Sequence, residues 1–244
     1  MLMRNLRILP LITTALMLSA CASGQNPKDP LEPLNRATTK VNTYLDDYLM
    51  KPLAICYEWA LPGVVRMGLS NFYGNLSEIR YFNNNLLQGK GERAADSFAR
   101  FIVNSTFGIA GFFDVMAMAG VPARQEDFGQ TLAVWGVPDG PYLVLPLFGP
   151  STVRDSLGYG GDYYLGVLDN FDDVRVRNSY FFARLVHTRS ELLSATQLVE
   201  DASVDSYVFV RDGYMQRRRF QIYDGNPPKE FDPDDPDASD PGEK

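Results

Sequence analysis

Histidine and cysteine are almost missing from this chain, with one His and two Cys among 244 residues. That excludes a zinc site built from His and Cys alone. A basic surplus is also absent: 23 bases stand against 30 acids, a formal charge of −7. Nothing here would neutralise a nucleic-acid backbone. No serine occupies a Gly-x-Ser-x-Gly elbow, the nearest approach being Gly149-Pro-Ser-Thr-Val153. Any Ser-His-Asp arrangement would need His187, which falls among Arg184, Arg189 and Glu191 and reads as a half-exposed surface residue of a helix. The carboxylate pairs Asp46/Asp47, Glu126/Asp127 and Asp172/Asp173 read as solvated loops rather than acid–base machinery. The aspartates from Asp232 to Asp240 lack the EF-hand spacing. No metal, cofactor or catalytic group is therefore expected.

Beyond the N-terminus a membrane span is missing as well. The longest uncharged run there is Gly140–Val153, 14 residues broken by Pro141, Pro146 and Pro150. A spanning helix needs ~20 apolar residues. No succession of alternating strands with hairpin turns is seen, which argues against a transmembrane barrel.

The N-terminus itself carries an export signal. Arg4 and Arg7 precede an apolar stretch from Ile8 to Leu18, and Leu18-Ser-Ala-Cys21 follows. This resembles the lipobox of bacterial lipoproteins, with cleavage between Ala20 and Cys21 and acylation of the Cys21 thiol. Two or three acyl chains would anchor the protein stably. Ala22, rather than an aspartate, implies export to the outer membrane by the same resemblance. Cys56 is then unpaired and reads as a small buried apolar residue.

The chain divides into a signal (1–20), an acylated tether (21–33), a helical domain (34–223) and an acidic tail (224–244). The tail holds eight acids, two bases and five prolines, a composition that cannot support a core. Within the domain the apolar period is helical. Leu34, Val41, Leu45, Tyr48 and Leu49 share a face, in a helix expected to end before Pro52. Ala94, Phe98, Phe101, Ile102 and Ser105 share another, with Arg93, Asp96 and Arg100 set off it. Phe181, Leu185, Leu192, Thr196 and Val199 make a third, and Val204, Tyr207, Val208 and Tyr214 a fourth. From Phe101 to Ala123 the only charge is Asp114. From periodicity alone, that apolar middle reads as a buried core element. Arg217-Arg218-Arg219 forms a basic cluster at a helix end, suited to carbonyl ends, a phosphate or a protein partner.

Nine blocks in order carry a family resemblance: Asp29-Pro-Leu-Glu-Pro-Leu-Asn-Arg36, Lys51-Pro52, Leu69-Ser-Asn-Phe-Tyr-Gly-Asn75, Asn85-Leu-Leu-Gln-Gly89, Arg100-Phe-Ile-Val-Asn-Ser-Thr-Phe-Gly108, Gly111-Phe-Phe-Asp-Val115, Glu126-Asp-Phe-Gly-Gln-Thr-Leu132, Trp135-Gly-Val-Pro-Asp-Gly-Pro-Tyr142 and Leu145-Pro-Leu-Phe-Gly-Pro-Ser-Thr-Val-Arg-Asp155. Behind a lipobox, they resemble the MlaA (VacJ) lipoproteins of Gram-negative bacteria. Val41-Asn42 departs from the aromatic-Asn pair expected there.

The resemblance implies an all-α, ring-like body of mostly amphipathic helices with Gly/Pro-rich irregular segments. It would lie in the membrane plane, on the periplasmic face of the outer membrane, partly embedded in the inner leaflet. A polar channel would pass mislocalised phospholipids from the outer leaflet to a soluble, MlaC-like periplasmic lipid carrier. Trimeric outer-membrane porins would hold the ring. The acyl groups on Cys21 would be its only non-protein component, and no catalysis is implied. With this added, residues 101–153 are expected to insert into the membrane. Since a head group is costly to place in hydrocarbon, the charges flanking the apolar runs become candidate channel-lining residues: Asp114, Asp127, Arg154, Asp155 and Asp162. For each, a helix cap, an ion pair or a loop turn is the plainer alternative. A structural lipoprotein bracing porins, and a phospholipase using His187, are the competing functions.

Overall fold

The computed structural model describes residues 29–166 and 172–228. Ala20, Cys21, the signal and all but the first residues of the acidic tail lie outside them. The chain is essentially all helical. The helices are α1 (Glu32–Leu45), α2 (Lys51–Ala60), α3 (Gly63–Leu87), α4 (Gly91–Phe107), α5 (Val115–Met118), α6 (Phe128–Val134), α7 (Val153–Leu165), α8 (Val174–Glu191), α9 (Leu193–Ala202) and α10 (Ser206–Ile222). Between α6 and α7 runs one small hairpin of β1 (Tyr142–Leu145) and β2 (Gly149–Thr152). Among the described residues no helix is long and apolar enough to cross a membrane.

The first helix does not stop before Pro52. A π-helical turn, Asp46–Met50, joins α1 to α2, with the Lys51 N–H reaching Asp46 O. One extra residue per turn gives the proline ring and its missing N–H a place within a continuous helix. The body also begins earlier than residue 34, because Asp29 is fully buried and α1 starts at Glu32. Pro33 and Glu32 suit that first turn, where a missing N–H costs nothing and negative charge meets the helix dipole.

Helices α3 and α4 pack as a long antiparallel pair. Their connection is a Schellman turn: Lys90 N–H donates to Asn85 O, and Gly89 N–H to Leu86 O, with Gly89 at φ +74°. Past α4 the chain does not continue as a helix through the apolar middle. Ile109, Ala110 and Gly111 all take positive φ and fold the segment back, so that Gly111 N–H bonds Asn104 O. The side chains of Asp114, Asp127, Thr152, Asp173 and Asp205 cap the N-termini of α5, α6, α7, α8 and α10.

The hairpin was not expected, since its prolines read as irregular backbone. It forms because α1 serves one strand as a surrogate neighbour. Asn35 Nδ2 donates to Tyr142 O (3.0 Å) and Asn35 Oδ1 accepts from Val144 N–H (2.9 Å). Two turns along, Asn42 repeats the pattern with Leu145 O and Leu147 N–H, both at 2.9 Å. Seven helical residues rise ~10.5 Å, about the length of three strand residues, so the two amides match the strand's repeat. Asn35 also donates to Asp29 (3.1 Å), which accepts from the Tyr207 hydroxyl of α10.

The interior is polar. Among the described residues six apolar ones are buried, Ala54, Ala94, Tyr142, Val144, Val186 and Tyr207, against 22 polar or charged ones. Large apolar side chains lie outside, among them Tyr48, Trp59, Phe107, Ile109, Met118 and Tyr164. The helical faces read from the sequence exist, but several point outward: Val41, Tyr48, Leu49, Phe98, Ile102 and Phe181 are exposed, while Arg100, set off its stripe, is 4% exposed. Cys56 follows the same rule. It is exposed rather than buried, on α2 beside the exposed Ile55 and Trp59.

Asn35→Ala is expected to cost about 2–3 kcal/mol, because two strand groups and Asp29 lose a buried partner. Thermal unfolding in detergent measures it; a loss below that of Asn42→Ala, whose site is only half-buried, would contradict the clamp.

Candidate functional site

Helices α3, α6, α7 and α10 bring most of the interior charge together. Arg218 of α10 grips Asp127 through both terminal nitrogens (2.5 and 2.6 Å) and reaches Asp155 Oδ1 at 2.9 Å. Asp155 also accepts from Tyr214 Oη (2.7 Å) and from Arg154 Nε (3.1 Å), and Arg154 pairs in turn with Asp139. The approach depends on glycine. A Cβ on Gly129 would stand 2.4 Å from Arg218 Nη2, and one on Gly158 would stand 2.6 Å from the Gly129 nitrogen. Asp162, one turn past Gly158, accepts from Phe128 N–H (3.0 Å) and Asn84 Nδ2 (3.1 Å).

A hydrogen-bonded line continues from there. Thr131 Oγ1 donates to Asn84 Oδ1 (2.8 Å), and Gln88 Nε2 reaches Thr131 Oγ1 (3.1 Å) and Glu126 (3.0 Å). Glu126 meets Lys90 Nζ at 3.0 Å, and Lys90 reaches Asp224 at 2.8 Å. Glu126 is buried and Asp127 half-buried, so this pair is not on a solvated loop. Asp224 is tied to the body and does not belong to a free tail.

Asp114 lies in a separate cluster. Arg100 sits between Glu78 (2.5 Å) and Asp114 (2.7 Å) and donates a third bond to Val121 O (2.6 Å). Asn104 Nδ2 donates to Asp114 Oδ1 (2.9 Å), and Asn104 Oδ1 accepts from Met116 N–H (3.0 Å), pinning the folded-back segment to α4.

The carboxylates divide by environment. Burial pushes Asp162 up to about 6, against the pull of Arg80 and with the nearby Asp127 adding to the rise. Burial raises Glu78 and Glu126 too. Burial opposes ionisation of Asp127 and Asp155 as well, but Arg218 overrides it and holds both below the usual carboxylate range.

Four of the five candidate residues, Asp127, Arg154, Asp155 and Asp162, thus converge in one network, and Asp114 falls in its neighbour. All five act as caps, ion-pair partners or hydrogen-bond acceptors within the protein. Arg154 also borders an open cleft of about 1770 Å³ between the hairpin and α10, lined in part by Asp139, Arg211, Asp212 and Phe220. The groups that organise the interior, Arg218, Arg100, Glu78 and Asn84, were not foreseen. Arg218 lay within a triplet read as a surface cluster. The asparagine-rich run of α3, Asn71 to Asn85, was a signal that went unused.

His187 is buried, 2% exposed, rather than half-exposed. Its Nδ1 lies 2.9 Å from Tyr57 Oη, its ring packs on Tyr73, and burial lowers its basicity. Among the described residues no group of three or more His, Cys, Asp or Glu is placed to hold a metal ion.

Fold and site together define a class: a helical protein with a charged, hydrogen-bonded interior and an apolar exterior, the reverse of a water-soluble domain. The chain belongs to the MlaA lipoprotein family, whose model matches residues 27–221. It is 35% identical over 224 residues to the intermembrane phospholipid transport system lipoprotein MlaA of Escherichia coli (strain K12), covering 88% of each chain. The protein of that name from Haemophilus influenzae is 31% identical over 251 residues, covering 96% of this chain and 98% of that one. A solved structure described as the structural basis for maintenance of bacterial outer membrane lipid asymmetry matches with a TM-score of 0.69 at 33% identity. It covers 81% of this chain and 99% of that one.

The raised Asp162 sets a pH dependence. Unfolded, its carboxyl titrates near ~3.9; folded, it holds its proton to about 6. Between these values the native state binds more protons, so stability falls as pH rises, by on the order of 2–3 kcal/mol from this group. Asp162→Asn keeps an acceptor for Phe128 N–H and is expected to flatten that fall. Melting temperatures from pH 4 to 8 check this; an unchanged slope would refute it.

Proposed function

We propose that this protein is an outer-membrane lipoprotein that withdraws mislocalised phospholipids from the outer leaflet through its polar interior and delivers them to a soluble periplasmic carrier. The observation that carries this reading is the inverted distribution of polarity. A phospholipid crossing half a bilayer needs polar surroundings for its head group and apolar surroundings for its tails. A body with charges and amides inside and Trp59, Phe107, Ile109 and Met118 outside offers both. The names of the relatives, a lipoprotein of an intermembrane phospholipid transport system, point the same way.

In this reading the body is a ring seated in the inner leaflet, its helices lying along the membrane plane, since none described is fit to cross it. The exposed tip of the hairpin, Leu147 and Phe148, enters the hydrocarbon, and trimeric porins hold the ring in place. The acidic and basic side chains around Asp127, Arg154, Asp155 and Asp162 form its polar wall, with Asp114 in the adjoining part. Acyl chains on Cys21 tether the body, and the residues from Ala22 onward give it room to settle at its own depth. The role is transport, not catalysis.

A clean deletion should raise outer-leaflet phospholipid, read by labelling exposed amino head groups with a membrane-impermeant reagent, and the intact gene should reverse it. Unchanged labelling with altered porin levels would favour a bracing lipoprotein instead. Cys21→Ser should abolish metabolic labelling with palmitate and leave the precursor uncleaved; label retained by the variant would overturn the anchor.

A further inference from the structure

The interior cations are nearly all neutralised at close range. Arg100, Arg154, Arg189, Arg218 and Lys90 each meet a carboxylate oxygen within 3.0 Å. Two guanidiniums on the same polar interior, Arg80 and Arg184, meet none among the described residues. Arg80, on α3, has a shielded Nε with no hydrogen-bond partner, and its charge rests against the Tyr81 ring, 5.4 Å from the centroid. Asp162 and Asp127 act on it only through space, and both are engaged elsewhere, with Asn84 and Phe128 N–H and with Arg218. Arg184, on α8, is held by hydroxyls alone: Nη2 lies 3.2 Å from Ser77 Oγ and Nη1 3.3 Å from Tyr180 Oη.

Ser77 and Arg80 stand one helical turn apart and share a face of α3, with the buried Asn84 a turn further on. Arg184, from another helix, therefore reaches the stretch of α3 that carries Arg80. Both are half-buried, so each keeps a path to solvent or solute. A guanidinium in a low-dielectric interior calls for a charged acceptor, and its planar fork suits two oxygens of a phosphate. Neither arginine has such an acceptor within hydrogen-bond distance among the described residues.

We propose that Arg80 and Arg184, with the Ser77 hydroxyl between them, form a phosphate-binding station for the phosphodiester of a glycerophospholipid inside the body. The assignment rests on the transport reading and gives it a place where a head group pauses. Asp162 and Asp127, which act on Arg80 through space, are acids of the same sign as the ligand. Asp162, which has no cation at contact distance among the described residues, weakens the hold and lets the lipid leave.

The test uses the full chain in non-ionic detergent, with a short-chain phosphatidylglycerol as probe, and compares the wild type with Arg80→Met, Arg184→Met and the double variant. Affinity should fall about tenfold in each single variant and further in the double. Arg80→Lys should recover part of the loss. Dioctanoylglycerol, which lacks the phosphate, should bind all four alike. Neither arginine is ion-paired, so the melting temperature of the methionine variants should stay level or rise, which separates lost binding from lost fold. Equal affinity of the double variant and the wild type would overturn the station. So would inorganic phosphate binding as tightly as the lipid, since the site would then serve a free anion. In cells, a double variant that fully corrects the deletion removes the station and leaves the transport reading intact. A deletion with no lipid phenotype removes the transport reading itself.

Discussion

The grip of Arg218 on Asp127 and Asp155 is the contact on which the rest of the interior is arranged. It joins α10 to α6 and α7, and it sits where Gly129 and Gly158 let backbones approach. Such pairs are poor sources of stability, because removing two charges from water costs nearly what their attraction returns. Their strength is asymmetric. Leaving one partner alone in the interior costs far more than the pair contributes, so the network specifies one arrangement by penalising every incomplete one. The line of amides from Asn84 through Thr131 and Gln88 to Glu126 extends that constraint to the end of α3.

Stability must therefore come from elsewhere. With six buried apolar residues, only a small cluster around Tyr142, Val144 and Tyr207 resembles an ordinary core. In water the apolar exterior would be a continuous sticky surface. In hydrocarbon the same surface is satisfied, and the competing unfolded chain, with its backbone exposed, is strongly disfavoured. The polar interior and the apolar exterior thus belong to one solution, suited to a surround that is mostly lipid.

This explains what could and could not be read from the residues. Helical period is local, and the stripes through Val41, Phe98 and Phe181 are real faces of real helices. A periodic pattern shows that two faces differ; which one turns inward depends on the surround, and the pattern does not encode the surround. Arg100, set off its apolar stripe, is for that reason on the buried side of its helix. Asp127, Arg154, Asp155 and Asp162 were legible because charges at the margins of uncharged runs are conspicuous. Their partners were not, since Arg218 lies 91 residues from Asp127 and nothing local links them. The hairpin escaped notice because its neighbour is not a strand but two asparagines on a helix. The turn through Pro52 escaped because a π-turn leaves no compositional mark.

A conduit for charged head groups faces two opposed demands. Its wall must be polar enough to replace water, yet a wall of bare charges would trap the first lipid to arrive. Pairing resolves the conflict. Arg154 with Asp139, Arg100 with Glu78 and Asp114, and Arg218 with its two aspartates present dipoles and small net charge to anything that passes. Asp114, Asp127, Arg154, Asp155 and Asp162, the candidate channel-lining residues, are each committed to a neighbour. On the transport reading, chemistry toward a ligand is left to the few groups whose valence is still open, and those are the positions proposed to meet a phosphate.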